Sequence, residues 1–250
     1  MANATLHDWF QTPLGQYVLE KERAYLDEVT PDIFGFHAVQ LGLPAVDLLR
    51  ENRITHRMRV AAAGEPDVFA KCHELPFSTQ SIDLVLLPHV LEFAEEPHAI
   101  LREVDRVMMP EGRLVILGFN PWSLWGLRSA LGFSREEYPW NGRFLSLLRV
   151  KDWLALLGFE VSAGRLIAYA PPFDSEKLRR RFGFMEPAGD RWWAVGGAVY
   201  MLQAIKRVRG MRLITPAWQE KDAREKALVA AAKRESHDGA KTAAHLRIVK

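Results

Sequence analysis

The sequence holds a single cysteine, Cys72, so no internal disulfide can form and a four-cysteine metal site is excluded. Its eight histidines are scattered without metal-ligand spacing, and no metal is expected. No apolar run reaches the ~20 residues a bilayer demands; the longest lies around Ala194 to Ile205. The first residues, Met-Ala-Asn-Ala-Thr-Leu-His-Asp, lack the basic-then-apolar pattern of a secretory signal. Neither sign of charge dominates: 33 Lys and Arg against 31 Asp and Glu leave a formal net charge of +2. That balance does not by itself call for a nucleic acid or a membrane surface. A Gly-x-Ser-x-Gly hydrolase elbow and a Gly-x-Gly-x-x-Gly dinucleotide fingerprint are both missing, and there is no internal repeat. The expectation is a soluble cytoplasmic protein with no membrane span.

What is present is ample for a core: 250 residues, 48% of them hydrophobic. Leu14, Tyr17, Val18, Tyr25 and Leu26 predict an amphipathic helix from about Gly15 to Val29, ended by Pro31. His37 to Gly42 predicts a buried strand. Pro44 is placed to begin a helix, with Ala45 to Glu51 making two turns. Short strands are expected at Arg57 to Ala61 and Val68 to Lys71. Ile82 to Leu87 is a buried strand, Pro97 opens a helix with Ile100, Leu101, Val104 and Val107 on one face, Glu111-Gly112 is a turn, and Arg113 to Gly118 is another strand. Strand, helix and strand at this spacing form a parallel βαβ unit. Asn120 to Asn141 is an irregular or short-helical insert. Then come a helix at Lys151 to Leu157 closed by Gly158, a strand from Phe159, a helix at Ser175 to Arg181, a last strand at Gly197 to Lys206, and a charged tail after Pro216.

The blocks from His73 to Gly118 carry a family likeness. They are His73-Glu-Leu-Pro-Phe, Ser81-Ile-Asp-Leu-Val, His89-Val-Leu-Glu-Phe-Ala-Glu-Glu-Pro, and the run from Ile100 through Met109-Pro-Glu-Gly to Ile116. Together they resemble the class I S-adenosylmethionine-dependent methyltransferases, the type 11 group in particular. The resemblance implies an α/β fold with a doubly wound, mostly parallel sheet and a ligand at the carboxyl ends of the strands. It divides the chain into an N-terminal helical cap (1–34), a methyltransferase-like domain (35–212) and a charged tail (213–250).

It also implies S-adenosylmethionine as cofactor, an unspecified methyl acceptor, and a site. Gln40, Gly42, Cys72, His73 and Pro88 would bind the cofactor; His89 and Glu92 would be catalytic; Asn120, Trp122, Trp125 and Tyr138 would line a substrate pocket. Departures cluster where the cofactor is usually held. Of the family's glycine-rich motif only Gly42 remains in Gln40-Leu-Gly42-Leu-Pro44-Ala-Val46, and Pro44 lacks an N–H. Too few residues separate Ala63 from Val68 for a helical crossover. A hairpin through Gly64-Glu65-Pro66, or loss of one strand, is therefore expected, with Glu65 solvated at the turn. The alternative is a methyltransferase-like binding or regulatory module without catalysis. The basic runs at Lys177 to Arg181 and Lys206 to Arg212 would suit a nucleic acid.

Overall fold

The computed structural model describes residues 5–132, 137–173, 175, 177, 181–192 and 195–208. The expected helix and basic run over 175–181 fall mostly outside these residues, and the tail falls wholly outside. Thr5 opens α1 (Leu6–Phe10) with a reciprocal capping box: its hydroxyl accepts from Asp8 N at 3.2 Å, and Asp8 Oδ2 accepts from Thr5 N at 2.8 Å. Thr12 caps α2 (Pro13–Val29) by accepting from Gly15 N at 3.1 Å. Pro13 occupies the first turn, where its missing N–H costs nothing.

Seven strands form one sheet: β1 (His37–Leu41), β2 (His56–Ala61), β3 (Val68–Phe69), β4 (Ile82–Pro88), β5 (Met108–Phe119), β6 (Phe159–Ile167) and β7 (Val199–Lys206). Their order is β3-β2-β1-β4-β5-β7-β6. The first five run parallel, and β7 lies antiparallel between β5 and β6. Alternate residues of the central strands are buried on opposite faces, as a covered parallel sheet requires. Leu84, Leu86, Val115 and Leu117 pack with Phe10, Leu14, Val18 and Leu26 of the N-terminal helices. Val85, Leu87, Leu114 and Ile116 pack with Ile100, Leu101 and Val104 of α3 (Pro97–Val107) and with Val150 and Leu154 of a later helix. That later helix follows α4 (Leu124–Ala130) and is α5 (Leu147–Leu156); the last described helix is α6 (Met185–Trp192).

Three expectations are corrected. No helix forms over 45–51; the parallel crossover from β1 to β2 is irregular backbone. The cause is Gln40. Its side-chain amide donates to the carbonyls of Leu43 at 3.0 Å and Val46 at 2.8 Å, and its Oε1 accepts from Leu48 N at 3.0 Å. These bonds compete with a helical ladder, and Asp47 reinforces them by accepting from Leu49 N at 3.0 Å. Second, β2 and β3 form no hairpin: they pair in parallel, Val60 with Val68 and Ala61 with Phe69. With only two residues to pair, a six-residue loop suffices, clamped where Arg59 donates to both carboxylate oxygens of Asp67 at 2.8 and 2.9 Å. Third, the turn at Glu111 is absorbed into β5 as an irregularity, with Glu111 at φ +63°.

The Arg59 guanidinium holds the Asp67 carboxyl down at about 2. The folded value lies below the ordinary one, so the pair's contribution is present above pH ~4 and is lost as pH falls through about 2. Both groups are largely exposed, which limits the contribution to about 1 kcal/mol or less. Asp67→Asn is expected to leave global stability within that margin. It should speed hydrogen exchange at the amides of Asp67 and Ala70, which bond to Arg59 O and Ala61 O. Unchanged exchange would show that the ion pair does not hold the loop.

Candidate functional site

The chain runs outward from β1 to β2 and β3, then returns to β4 on the other side of β1, so the sheet's switch point lies between β1 and β4. A cavity of about 940 Å³ opens there, above the carboxyl ends of the strands. After β1 the backbone turns through Gly42 at φ +83° and Leu43 at φ +46°. After β2 it turns through Gly64 at φ +87° and presents Glu65. Both glycines hold left-handed backbone that favours glycine. A Cβ on Gly42 would stand 3.0 Å from Val90 Cγ2, and one on Gly64 would stand 3.0 Å from Pro44 Cγ. Cys72 and His73 follow β3, Pro88 and His89 end β4, and Phe93, Ile100 and Tyr138 complete the apolar side. Thr5, Leu6 and His7 border the same space.

The cavity thus gathers Gly42, Cys72, His73, Pro88, His89 and Tyr138 from the expected site. It does not gather the others. Gln40 is fully buried and committed to the loop it shapes. Asn120 is buried, donating to Val195 O at 2.8 Å and Gly197 O at 2.9 Å. Trp125 is 1% exposed, its indole N–H bonded to Ala170 O at 2.9 Å. Trp122 is 78% exposed and borders a separate apolar depression with Leu127 and Phe184. Glu92 does not reach the cavity. Burial pushes the Cys72 thiol up, which keeps it protonated and unreactive near neutrality.

His89 adopts φ +54°, and its ring is closed off from solvent between two acids. Nε2 lies 2.6 Å from Glu22 Oε1 on α2, and Nδ1 lies 3.2 Å from Glu92 Oε1. Glu92 Oε1 also accepts from Phe119 N at 2.8 Å. Burial pulls the imidazole pKa down, but the charge and hydrogen bond of Glu22, then those of Glu92, outweigh it and carry it up to about 10. Near neutrality the ring is an imidazolium that donates to both carboxylates. Sequence reasoning missed Glu22. Its signal was an acid in the middle of the apolar stripe Val18, Glu22, Leu26, at helical spacing.

Comparison with known proteins fits this geometry. A family model described as a methyltransferase domain matches residues 41–116, from the end of β1 into β5. An S-adenosylmethionine-dependent methyltransferase from Thermotoga maritima superposes with a TM-score of 0.61 at 18% identity, covering 80% of this chain and 93% of that one. The chain has the class I methyltransferase fold. A methyltransferase of Haloferax volcanii, solved with its Trm112 activator, shares this fold with a TM-score of 0.58 at 16% identity, covering 83% of this chain and all of that one. In sequence, this methyltransferase-like chain is 38% identical over 155 residues to the uncharacterized Escherichia coli protein YafS. That match covers 61% of this chain and 65% of YafS, just under two thirds of the relative's length.

The described part of the basic run at 206–212 does not offer free charge. Lys206 Nζ is buried against Asp105 at 3.0 Å and donates to Met108 O at 3.1 Å. Arg207 pairs with Glu160 and Glu111. The rest of that run lies outside the described residues. Among the described residues no helix is long and apolar enough to cross a membrane, and no group of three or more ligating side chains is placed to hold a metal.

Proposed function

We propose that this chain is an S-adenosylmethionine-dependent methyltransferase, with the cofactor in the cavity at the β1–β4 switch point. The observation that carries this reading is the cavity itself. Its volume is in the range of small-molecule sites, and it is walled by left-handed backbone at Gly42 and Gly64 where a side chain would crowd the opposite wall. Its polar groups suit an adenosine-bearing ligand. The Glu65 carboxylate can accept from paired ribose hydroxyls. His7 Nδ1, on a residue bordering the cavity, is buried without a partner among the described residues. Gly42, Glu65, Cys72 and His73 would hold the cofactor, which supplies a methyl group on a sulfonium as the electrophile.

The chain's own residues then position and exclude. Phe93, Ile100 and Tyr138 form an apolar wall that keeps water from the transfer. The in-line displacement draws its rate from alignment more than from proton transfer. His89 and Glu92 act from below: the imidazolium between two carboxylates fixes the floor at Pro88–Val90, and its proton is not shared with an acceptor.

One observation favours the second reading, a binding module without catalysis. The β1–β2 crossover has no helix, and Pro44 offers no N–H to a ligand. Calorimetric titration of the whole chain with S-adenosylmethionine separates the two. Saturable binding is expected, weakened about tenfold or more by Glu65→Ala through loss of hydrogen bonds to a charged acceptor. Absence of binding at millimolar ligand would leave the module reading.

A further inference from the structure

A second depression, of about 650 Å³, adjoins the cavity and shares Glu95 and Glu96 with it. Two helices wall it, each with an i, i+4 pair: His98 and Arg102 from α3, Arg149 and Trp153 from α5. The His98 and Trp153 rings meet with centroids 3.9 Å apart, fixing the two helix faces together with an arginine beside each. Arg143 enters from the segment before α5, its backbone N–H bonded to Glu92 O at 2.8 Å.

The three guanidiniums are exposed and have no hydrogen bond or ion pair among the described residues. Elsewhere on the surface Arg50, Arg59, Arg106 and Arg207 sit on carboxylates and Arg53 has no partner among the described residues, whereas here three unpaired guanidiniums line one hollow. Three cations around one hollow repel one another unless an anion or solvent discharges them. Even Glu95 and Glu96 on the shared rim make no ion pair with them.

We propose that this depression binds a single phosphate group carried by the methyl acceptor, an inference that rests on the methyltransferase reading above. Guanidinium forks match phosphate oxygens two at a time. Glu95 and Glu96 disfavour an anion at the shared rim and confine it to the arginine wall. The acceptor then spans the two hollows, its phosphate among Arg102, Arg143 and Arg149 and its nucleophilic atom toward Tyr138 and Pro88. One hollow suits one phosphate, whereas a nucleic-acid backbone needs a track of cations. The acceptor class is therefore a phosphorylated small molecule.

The test is calorimetry on the full chain with three probes: inorganic phosphate, S-adenosylmethionine and a short single-stranded RNA. Inorganic phosphate is expected to saturate, and Arg143→Ala and Arg149→Ala should each weaken it about fivefold or more. Arg143→Lys should recover only part of the loss, because an ammonium lacks the fork. Arg50→Ala should change nothing. Melting curves confirm that each variant is folded, and affinity for S-adenosylmethionine should be unchanged in all of them. Phosphate that fails to saturate, or binds equally well without the arginines, overturns the inference while cofactor binding leaves the methyltransferase reading intact. Arginine-dependent phosphate binding without cofactor binding supports the anion site and defeats the methyltransferase reading instead. Arginine-dependent RNA binding far tighter than phosphate, with a steep salt dependence, overturns the assignment to a small molecule.

Discussion

His89→Leu lowers the free energy of unfolding by about 3–5 kcal/mol in urea titrations at neutral pH, the cost of leaving a buried charge uncompensated. The imidazolium is the counter-charge found in direct contact with Glu22 Oε1 and Glu92 Oε1, and all three side chains are shut away from water. Glu22 Oε2 and Glu92 Oε2 are already buried without a partner, so the acids have no spare donor to turn to. The sign of the pH dependence follows. The folded pKa of about 10 lies above the ordinary 6.5, so the stabilisation is complete below pH ~6.5 and is lost as pH rises through about 10. A shift of that size corresponds to roughly 5 kcal/mol. Wild-type stability should begin to fall above pH ~6.5, and the leucine variant should lack that early fall; toward pH ~9 and above both curves descend, because burial also raises the Cys72, Tyr25 and Tyr200 groups. Parallel curves for the two proteins would refute the assignment.

Trp125→Ala should cost about 3–5 kcal/mol in the same assay and leave affinity for S-adenosylmethionine per folded molecule unchanged. The indole sits among Trp9, Phe119 and Trp140 at centroid distances of 6.2, 6.1 and 5.6 Å, and its N–H satisfies Ala170 O. Removing it opens a void and strands a buried carbonyl. A variant that keeps its stability but loses acceptor turnover would place Trp125 in a substrate pocket after all.

These two residues show what the sequence could and could not convey. The buried strands expected at Ile82 to Leu87 and Arg113 to Gly118 and the α3 face of Ile100, Leu101, Val104 and Val107 were legible because continuous apolar runs and helical spacing are local properties. The cavity also gathers Gly42, Cys72, His73 and Pro88, positions to which the family resemblance pointed rather than any local pattern. The tryptophans of the insert were not legible. An aromatic side chain reads the same whether it faces a ligand or a core, and only packing puts Trp125 inside and Trp122 outside. The Glu22–His89 pair joins residues 67 apart in the chain, which no spacing rule reaches. The missing crossover helix failed for another reason: Pro44 and Ala45–Glu51 do favour a helix locally, but the Gln40 side chain takes the carbonyls that the helix would have used.

That last substitution of bonding changes what holds the cavity wall together. A helix frays from its ends, one hydrogen bond at a time, and its middle survives the loss of any single side chain. In the segment from Gly42 to Leu48 one glutamine amide joins Gly42 O, Leu43 O, Val46 O and Leu48 N, while Val46 N to Leu43 O and Arg59 Nη1 to Pro44 O are the bonds made beside it. One buried side chain therefore does for this wall what a row of backbone bonds does for a helix, and removing that amide would strip Gly42 O, Val46 O and Leu48 N of their partners at once.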